Sequence, residues 1–339
     1  MAREYYNGRD NYLIYGVETA YATGGTPAVG NKIGRIQSVT LNMNNNLIRS
    51  QGIGEGINAT NVSLGQFEVS GNINTKPTDF TFLQYGVGYV GGAGTTASPY
   101  LLTENGTFGY TSTTLYTTKL ELGQKGVSNH QTKTVDGVVI SDWTLSGNQG
   151  EELVLDINFL GKEVSRDVSL ETYTAPSTRT FVFNSGSVIW GSSDVISCSS
   201  FNVRCNLNPN YPREVGSRFP KQPSMGVRRY DWTLTINAHF DDSSNVMSGN
   251  ELMKEFFFDS TSDPITPKST GVITGSNLLI NVDEGTASGE QRLIVQLANS
   301  FINDWAENPT LEGGEVQITI NGFSLSGVSN QPIKWWVVT

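Results

Sequence analysis

The side chains best suited to catalysis are few in this sequence and stand far apart. His130 lies in the polar stretch Ser128-Asn129-His130-Gln131-Thr132 and reads as a solvated loop residue. His239 falls on the polar side of an alternating strand. Cys198 and Cys205 occupy one strand seven positions apart, so they point to opposite faces, ~23 Å apart if extended, against the ~7 Å a disulfide tolerates. They read as two free thiols, and with only two histidines they are too few for a zinc site of ordinary composition. Gly52-Ile53-Gly54-Glu55-Gly56 and Gly91-Gly92-Ala93-Gly94 are glycine-rich, but no strand-to-helix turn or Gly-Lys-Ser/Thr follows, so neither is a phosphate cradle. Asp241-Asp242 and Asp283-Glu284 offer oxygen ligands of the kind calcium takes, yet read as solvated turns. No Ser/His/Asp set assembles by spacing. The expectation is a non-enzyme with no catalytic residues, no metal and no cofactor.

A pattern emerges instead among uncharged and acidic residues. Glu68, Ser70 and Asn72 alternate with Phe67, Val69 and Ile73. Asp231, Thr233 and Thr235 alternate with Tyr230, Trp232, Leu234 and Ile236. Each strand thus has one apolar face and one wet face. Matching Phe67, Val69 and Ile73 to Tyr230, Trp232 and Ile236 puts an acid at the same place in both, which suits a repeated surface lining a shared channel and equally an ordinary wet sheet face. A second set lies in two long loops, about 45–65 and about 208–228. Loops of ~20 residues inside a compact domain are usually functional or disordered, so a subunit contact and a mobile surface loop are both open. The second is basic, with Arg213, Arg218, Lys221 and Arg228 against Glu214, while the first carries Arg49 and Glu55. As functional loops, both are expected to contact another subunit.

The elements that must carry these residues are mostly strands. Segments such as Ile33–Asn44, Gln66–Asn74, Phe108–Gly123, Val138–Gly147, Val168–Thr174, Ile196–Leu207, Arg229–Asp241 and Val316–Ser326 are rich in Val, Ile, Thr and aromatics and are bounded by turn residues. Two segments predict helix: Lys76–Tyr85, with Pro77 near its start and Gly86 at its end, and Asn250–Phe258, with Asn250 as N-cap. The order repeats. Val39–Asn46 reads against Phe201–Asn208, each strand entering a long loop and a second strand, with one helix following. Ile140–Gly147 reads against Ile320–Gly327, both showing a one-residue change of apolar parity that marks a bulge. The reading is all-β, mainly antiparallel, with one short helix per repeat: an N-terminal arm over 1–30, a first domain over 31–175 and a second over 176–339.

Composition agrees. The 339 residues include 37 Gly and 34 aromatics but only 16% charged residues, as suits strands with hydroxyl and amide outer faces. A net charge of −10 disfavours DNA grasping, which needs a basic surface, but does not exclude a surface that DNA must pass without sticking. No apolar run approaches the ~18–20 residues of a membrane helix, and the start, Met1-Ala2-Arg3-Glu4-Tyr5-Tyr6, lacks a signal-peptide core.

Several stretches together resemble the tail tube proteins of tailed bacterial and archaeal viruses, in the form with two tube domains. They are Tyr15-Gly16-Val17-Glu18-Thr19-Ala20-Tyr21-Ala22-Thr23, Ile36-Gln37-Ser38-Val39-Thr40-Leu41, Phe67-Glu68-Val69-Ser70-Gly71-Asn72-Ile73, Thr144-Leu145-Ser146-Gly147, Leu155–Lys162 and Thr180-Phe181-Val182-Phe183. The resemblance implies two β-sandwich or barrel domains per chain and three chains per pseudo-sixfold ring, stacked through the long loops into a tube in the virion tail, assembled in the host cytoplasm. The expected partners are further copies of the chain and the tape-measure, tail-terminator and baseplate or tip proteins, with DNA passing unbound and no membrane contact. Two other readings stay open: a different β-rich virion protein (baseplate or decoration), and a two-domain carbohydrate-binding module using Trp335-Trp336, of which alternation sends one to the core and one outward.

Overall fold

In the computed structural model, residues 11–28, 30–50, 61–104, 117–126, 130–170, 173–183, 185–191, 193–195, 198–224, 226–237, 246–247, 257, 275–283, 288–308 and 317–338 are described. The first half contributes β1 (Tyr12–Val17), β2 (Arg35–Asn44), β3 (Ile48–Ser50), β4 (Asn61–Ser63), β5 (Glu68–Lys76), β6 (Gly88–Gly91), β7 (Tyr100–Glu104), β8 (Thr118–Lys125), β9 (His130–Asn148), β10 (Val154–Gly161) and β11 (Glu163–Asp167). The second contributes β12 (Ser185–Trp190), β13 (Ser193–Val195), β14 (Cys198–Asn206), β15 (Arg229–Asn237), β16 (Val246–Met247), β17 (Ser276–Asp283), β18 (Gln291–Asn308), β19 (Gln317–Gly327) and β20 (Ile333–Val337). The all-β, mainly antiparallel expectation holds.

One pairing scheme is used twice. In the first half β2, β5, β10 and the second part of β9 lie side by side. In the second half β14, β15, β19 and the second part of β18 do the same. The first part of β9 leaves that sheet to join β1, β8 and β11. The first part of β18 leaves likewise to join β12, β17 and β20. Each half is thus built around one long strand shared by two sheets. One hydrophobic core runs through both, with Ile73, Trp143, Leu145 and Ile157 in the first half and Trp232, Leu234, Ile280 and Ile320 in the second. Tyr12–Val17, expected in an N-terminal arm, is a core strand paired with β8.

The backbone register corrects two sequence alignments. Asn44 faces Glu68 and Asn206 faces Arg229, so Glu68 corresponds to Arg229, and Ser70 to Asp231. A two-residue slip leaves alternation unchanged, so parity alone could not separate the true pairing from its neighbour. The second correction concerns β9, which is the fourth strand of its sheet, whereas β19 is the third of its own. The counterpart of Ile140-Ser141-Asp142-Trp143 is Ile302-Asn303-Asp304-Trp305 in β18. Both carry a bulge at the second residue, Ser141 and Asn303. β19 has no change of face: Ile318, Ile320, Gly322 and Ser324 stay buried, and Leu325 is exposed on the other side. A further bulge recurs at Gln37 of β2 and Ser199 of β14.

The expected helix over Lys76–Tyr85 is displaced. Lys76 still ends β5, a 3-10 turn follows at Thr81–Leu83, and the α1 turn spans Gln84–Val87. Phe80, Phe82, Leu83, Tyr85 and Val87 are all buried, so this segment plugs the core instead of presenting one apolar stripe. The helix expected over Asn250–Phe258 lies outside the described residues except for Phe257, as do 108–116 of the expected strand Phe108–Gly123. The strand expected over Val168–Thr174 does not form among its described residues, and Val168 is exposed. Trp335 enters the core against Phe80 and Tyr100, while Trp336 is half-buried beside Lys334.

Candidate functional site

The two halves are joined edge to edge. β14 pairs with the second part of β9, Ser200 against Asn148 through Asn206 against Asp142. Eight strands therefore run in one continuous order, β2-β5-β10-β9-β14-β15-β19-β18. Alternation sends most apolar residues of the eight strands to the core, while Leu160, Phe301, Phe323 and Leu325 fall on the opposite face. The opposite face carries the six residues expected from the sequence, Glu68, Ser70, Asn72, Asp231, Thr233 and Thr235, on a single surface.

That surface is a ladder of side-chain hydrogen bonds. Asn72 Nδ2 donates to Asn158 Oδ1 at 2.9 Å, and Asn158 Nδ2 donates to Asp142 Oδ1 at 2.9 Å. Arg204 Nη2 reaches Asp142 Oδ1 at 3.4 Å across the joint between halves. In the second half Thr233 Oγ1 donates to Asn321 Oδ1 at 2.8 Å, and Asn321 Nδ2 donates to Asp304 Oδ2 at 3.3 Å. The two rows, Asn72–Asn158–Asp142 and Thr233–Asn321–Asp304, occupy equivalent places. Asp142, Asp156, Asn158 and Asp304 belong to this face but were not singled out from the sequence. The shared Ile-x-Asp-Trp of β9 and β18 was the available signal.

The acids on the face are partnered. Arg229 Nε donates to Asp231 Oδ1 at 2.7 Å, and Asn74 Nδ2 donates to Asp156 Oδ1 at 2.8 Å. Glu68 lies at the strand end and pairs with Arg213 Nη2 at 3.2 Å. The face is amide- and carboxylate-rich, with its charges held in place by neighbours.

Both loops leave the sheet through the same mouth. Asn46 and Asn208 take left-handed φ values of 42° and 43°. The backbone N–H of each is held by the side chain two residues earlier, Asn44 and Asn206, at 3.0 Å. Gly65 and Gly226 close the mouths, and a Cβ on either would sit 1.9 Å from Asn46 O or 2.6 Å from Asn208 O. Beyond the mouth the loops part. The first is a hairpin, β3 with β4, whose Arg49 is exposed; Glu55 lies outside the described residues. Leu47, Ile48, Val62 and Leu64 on it are 55–60% exposed.

The second loop folds across the end of the first half. Tyr211 Oη donates to Leu160 O at 3.3 Å, and burial pushes its phenol well above the ordinary range, keeping it a donor. Arg218 Nε donates to Gly65 O at 3.0 Å and its Nη2 to Asn45 Oδ1 at 2.8 Å. Phe67 N donates to Arg218 O at 2.9 Å, and Phe219 meets Phe67 edge-on at 5.7 Å. Arg213 and Arg218 thus contact this chain's own first half, Lys221 pairs with Glu214, and Arg228 is half-buried at the loop's return.

Among the described residues, no group of three or more His, Cys, Asp or Glu is placed to hold a metal ion, and both cysteines are free. No helix there is long and apolar enough to cross a membrane. No curated protein matches the chain. The sequence model of the family described as "Phage tail tube protein" matches residues 8–320. With nearly the whole chain matched, and a doubled sheet presenting one continuous polar face, the chain belongs to the phage tail tube protein family.

Proposed function

We propose that this chain is the major tail tube subunit and that three copies close head to tail into a ring, with the eight-stranded polar face as its inner wall. The observation that carries this reading is the state of the two outer strands. β2 pairs only with β5, and the second part of β18 pairs only with β19, among the described residues. Core-side positions at the internal joint are sealed: Phe201, Val203, Cys205 and Trp143 are 0–2% exposed. Their counterparts at the open edges, Val39, Leu41, Met43 and Trp305, are only partly buried or exposed. An edge that ends in half-covered apolar residues calls for another strand. A neighbour's β18 beside β2 repeats the joint that β9 and β14 already make.

Three such faces supply about 24 strands, giving roughly 37–52 Å between opposite backbones for ~4.8 Å spacing and tilts up to ~45°. That passes a DNA duplex. Glu68, Ser70, Asn72, Asp231, Thr233 and Thr235 then face the channel. Fixed carboxylates repel phosphate within a Debye length of ~8 Å, so DNA slides instead of binding during ejection. The two halves, 31–175 and 176–339, serve as the tube domains, with β1 completing the outer sheet of the first. Rings stack through the two loops, to which Arg49, Glu55 and Lys221 belong in the sequence, into a tube in the virion tail, assembled in the host cytoplasm with tape-measure, terminator and baseplate or tip proteins as partners. The test is negative-stain electron microscopy of purified chain across a concentration series, with mass per ring. Sixfold-looking rings of three chains support the reading; a hexamer of chains, or a monomer at every concentration, refutes it.

A further inference from the structure

The surface that the second loop covers in the first half has a counterpart in the second half, where its rim is exposed at Val227 and Leu325. Leu160 and Val139 are the strand pair beneath the second loop, and Val139 is fully buried. Their equivalents are Phe323 and Phe301, stacked at 5.2 Å with 24° between planes. Glu68, which Arg213 grips, corresponds to Arg229, and the Gly65 mouth, which Arg218 grips, corresponds to Gly226. These second-half positions border a cavity of about 590 Å³ at the loop end of the polar face, lined by Val227, Arg229, Asp231, Thr233, Phe323 and Leu325 among others. Val227 is 86% exposed and Leu325 59%.

We propose that this cavity receives the β3–β4 hairpin of a second copy of the chain within the same ring. This rests on the ring reading above. The second loop follows β14, which pairs with β9, and it lies over the end of β9's own half. The hairpin follows β2, which is placed to pair with a neighbour's β18, so the same geometry lays the hairpin over the end of that neighbour's second half. Its exposed Leu47, Ile48, Val62 and Leu64 match the apolar rim of Val227, Phe323 and Leu325. The covered surface of one half thus serves as the template for its counterpart in the other, and the first loop clasps within the ring instead of reaching only toward the next ring.

The test uses the full-length chain. Asn42→Cys with Ala306→Cys, at the exposed equivalents of the paired Arg204 and Thr144, reports the strand joint itself, by disulfide-linked dimers and trimers on a non-reducing gel. Ile48→Asp with Val62→Asp, and separately Leu325→Asp, report the clasp. All three lie on exposed positions, and unchanged circular dichroism and melting confirm folding. The expected result is that the joint cross-links in the parent, and that each clasp variant raises the concentration needed for rings about tenfold or more, which ~1.4 kcal/mol per contact supplies. Ile48→Lys combined with Leu325→Asp should recover part of the loss. Rings and cross-links that form as readily in the clasp variants overturn the clasp and leave the ring standing. Absence of both from the parent chain overturns the two together.

Discussion

Met43 offers a direct probe of the open edge. Its side chain is 51% exposed, whereas Cys205 at the equivalent place is fully buried across from Trp143. The same pairing at a joint between copies sets Met43 against Trp305 of the next copy. Burying a Met side chain completely is worth ~1.5–3 kcal/mol, so its exposed half is worth about 0.8–1.5 kcal/mol. A sulfur–aromatic contact adds roughly 0.3–1.5 kcal/mol. Met43→Ala should therefore cost about 1–3 kcal/mol per joint, or ~3–9 kcal/mol over three joints, and weaken ring formation by roughly 10²–10⁶. In the free chain the same change removes little, under about 0.5 kcal/mol. Val203→Ala, at a fully buried position of the internal joint, should instead cost the free chain about 2 kcal/mol. Ring fraction by mass photometry over a dilution series, alongside thermal melting of the monomer, separates the two effects. Met43→Ala rings that survive dilution like the parent's, or a monomer that melts as if a core residue were lost, would refute the edge argument.

Two further outcomes follow from the wall and the core. Asn72→Lys with Thr235→Lys places cations on the polar face, away from the proposed clasp; tubes should still assemble, but DNA ejection should slow at low salt and recover as salt rises. Ejection kinetics indifferent to both changes and to salt would remove these residues from the channel. Cys198 is half-buried with its thiol pushed up to about 12 by burial, and burial also raises that of Cys205. At pH 8 labelling of the folded chain by a thiol reagent should run roughly 10³-fold slower than in denaturant, rising with pH up to the thiol's own range. Rapid labelling at pH 8 without unfolding would contradict the burial of β14.

Period-two alternation reveals which side chains share a face, and the six residues on the polar face were readable for that reason. It is blind to slips of two, so it placed Asp231 opposite Glu68 where backbone pairing places Arg229. It also favoured Ile320–Gly327 as the partner of Ile140–Gly147, because Phe323 and Leu325 look like core residues. In β19 they point away from the core, and Ile302-Asn303-Asp304-Trp305 is the true counterpart. The loop mouths were legible in Asn44-Asn45-Asn46 and Asn206-Leu207-Asn208, since both need a residue tolerant of left-handed φ. That the second loop folds back on its own chain was not, because Arg213, Arg218 and Tyr211 find partners more than 50 positions away.

The β9–β14 joint alters how assembly scales with concentration. Where single-domain subunits must meet six at a time to close a sixfold ring, each chain here arrives with one joint already made by folding. In the proposed ring of three chains, half the contacts would be unimolecular and cost no dilution entropy. The yield of such a ring would rise with about the third power of chain concentration instead of the sixth. The same fusion would lock the two kinds of half into strict alternation around it, letting one loop specialise as a contact within the chain and the other as a contact between chains.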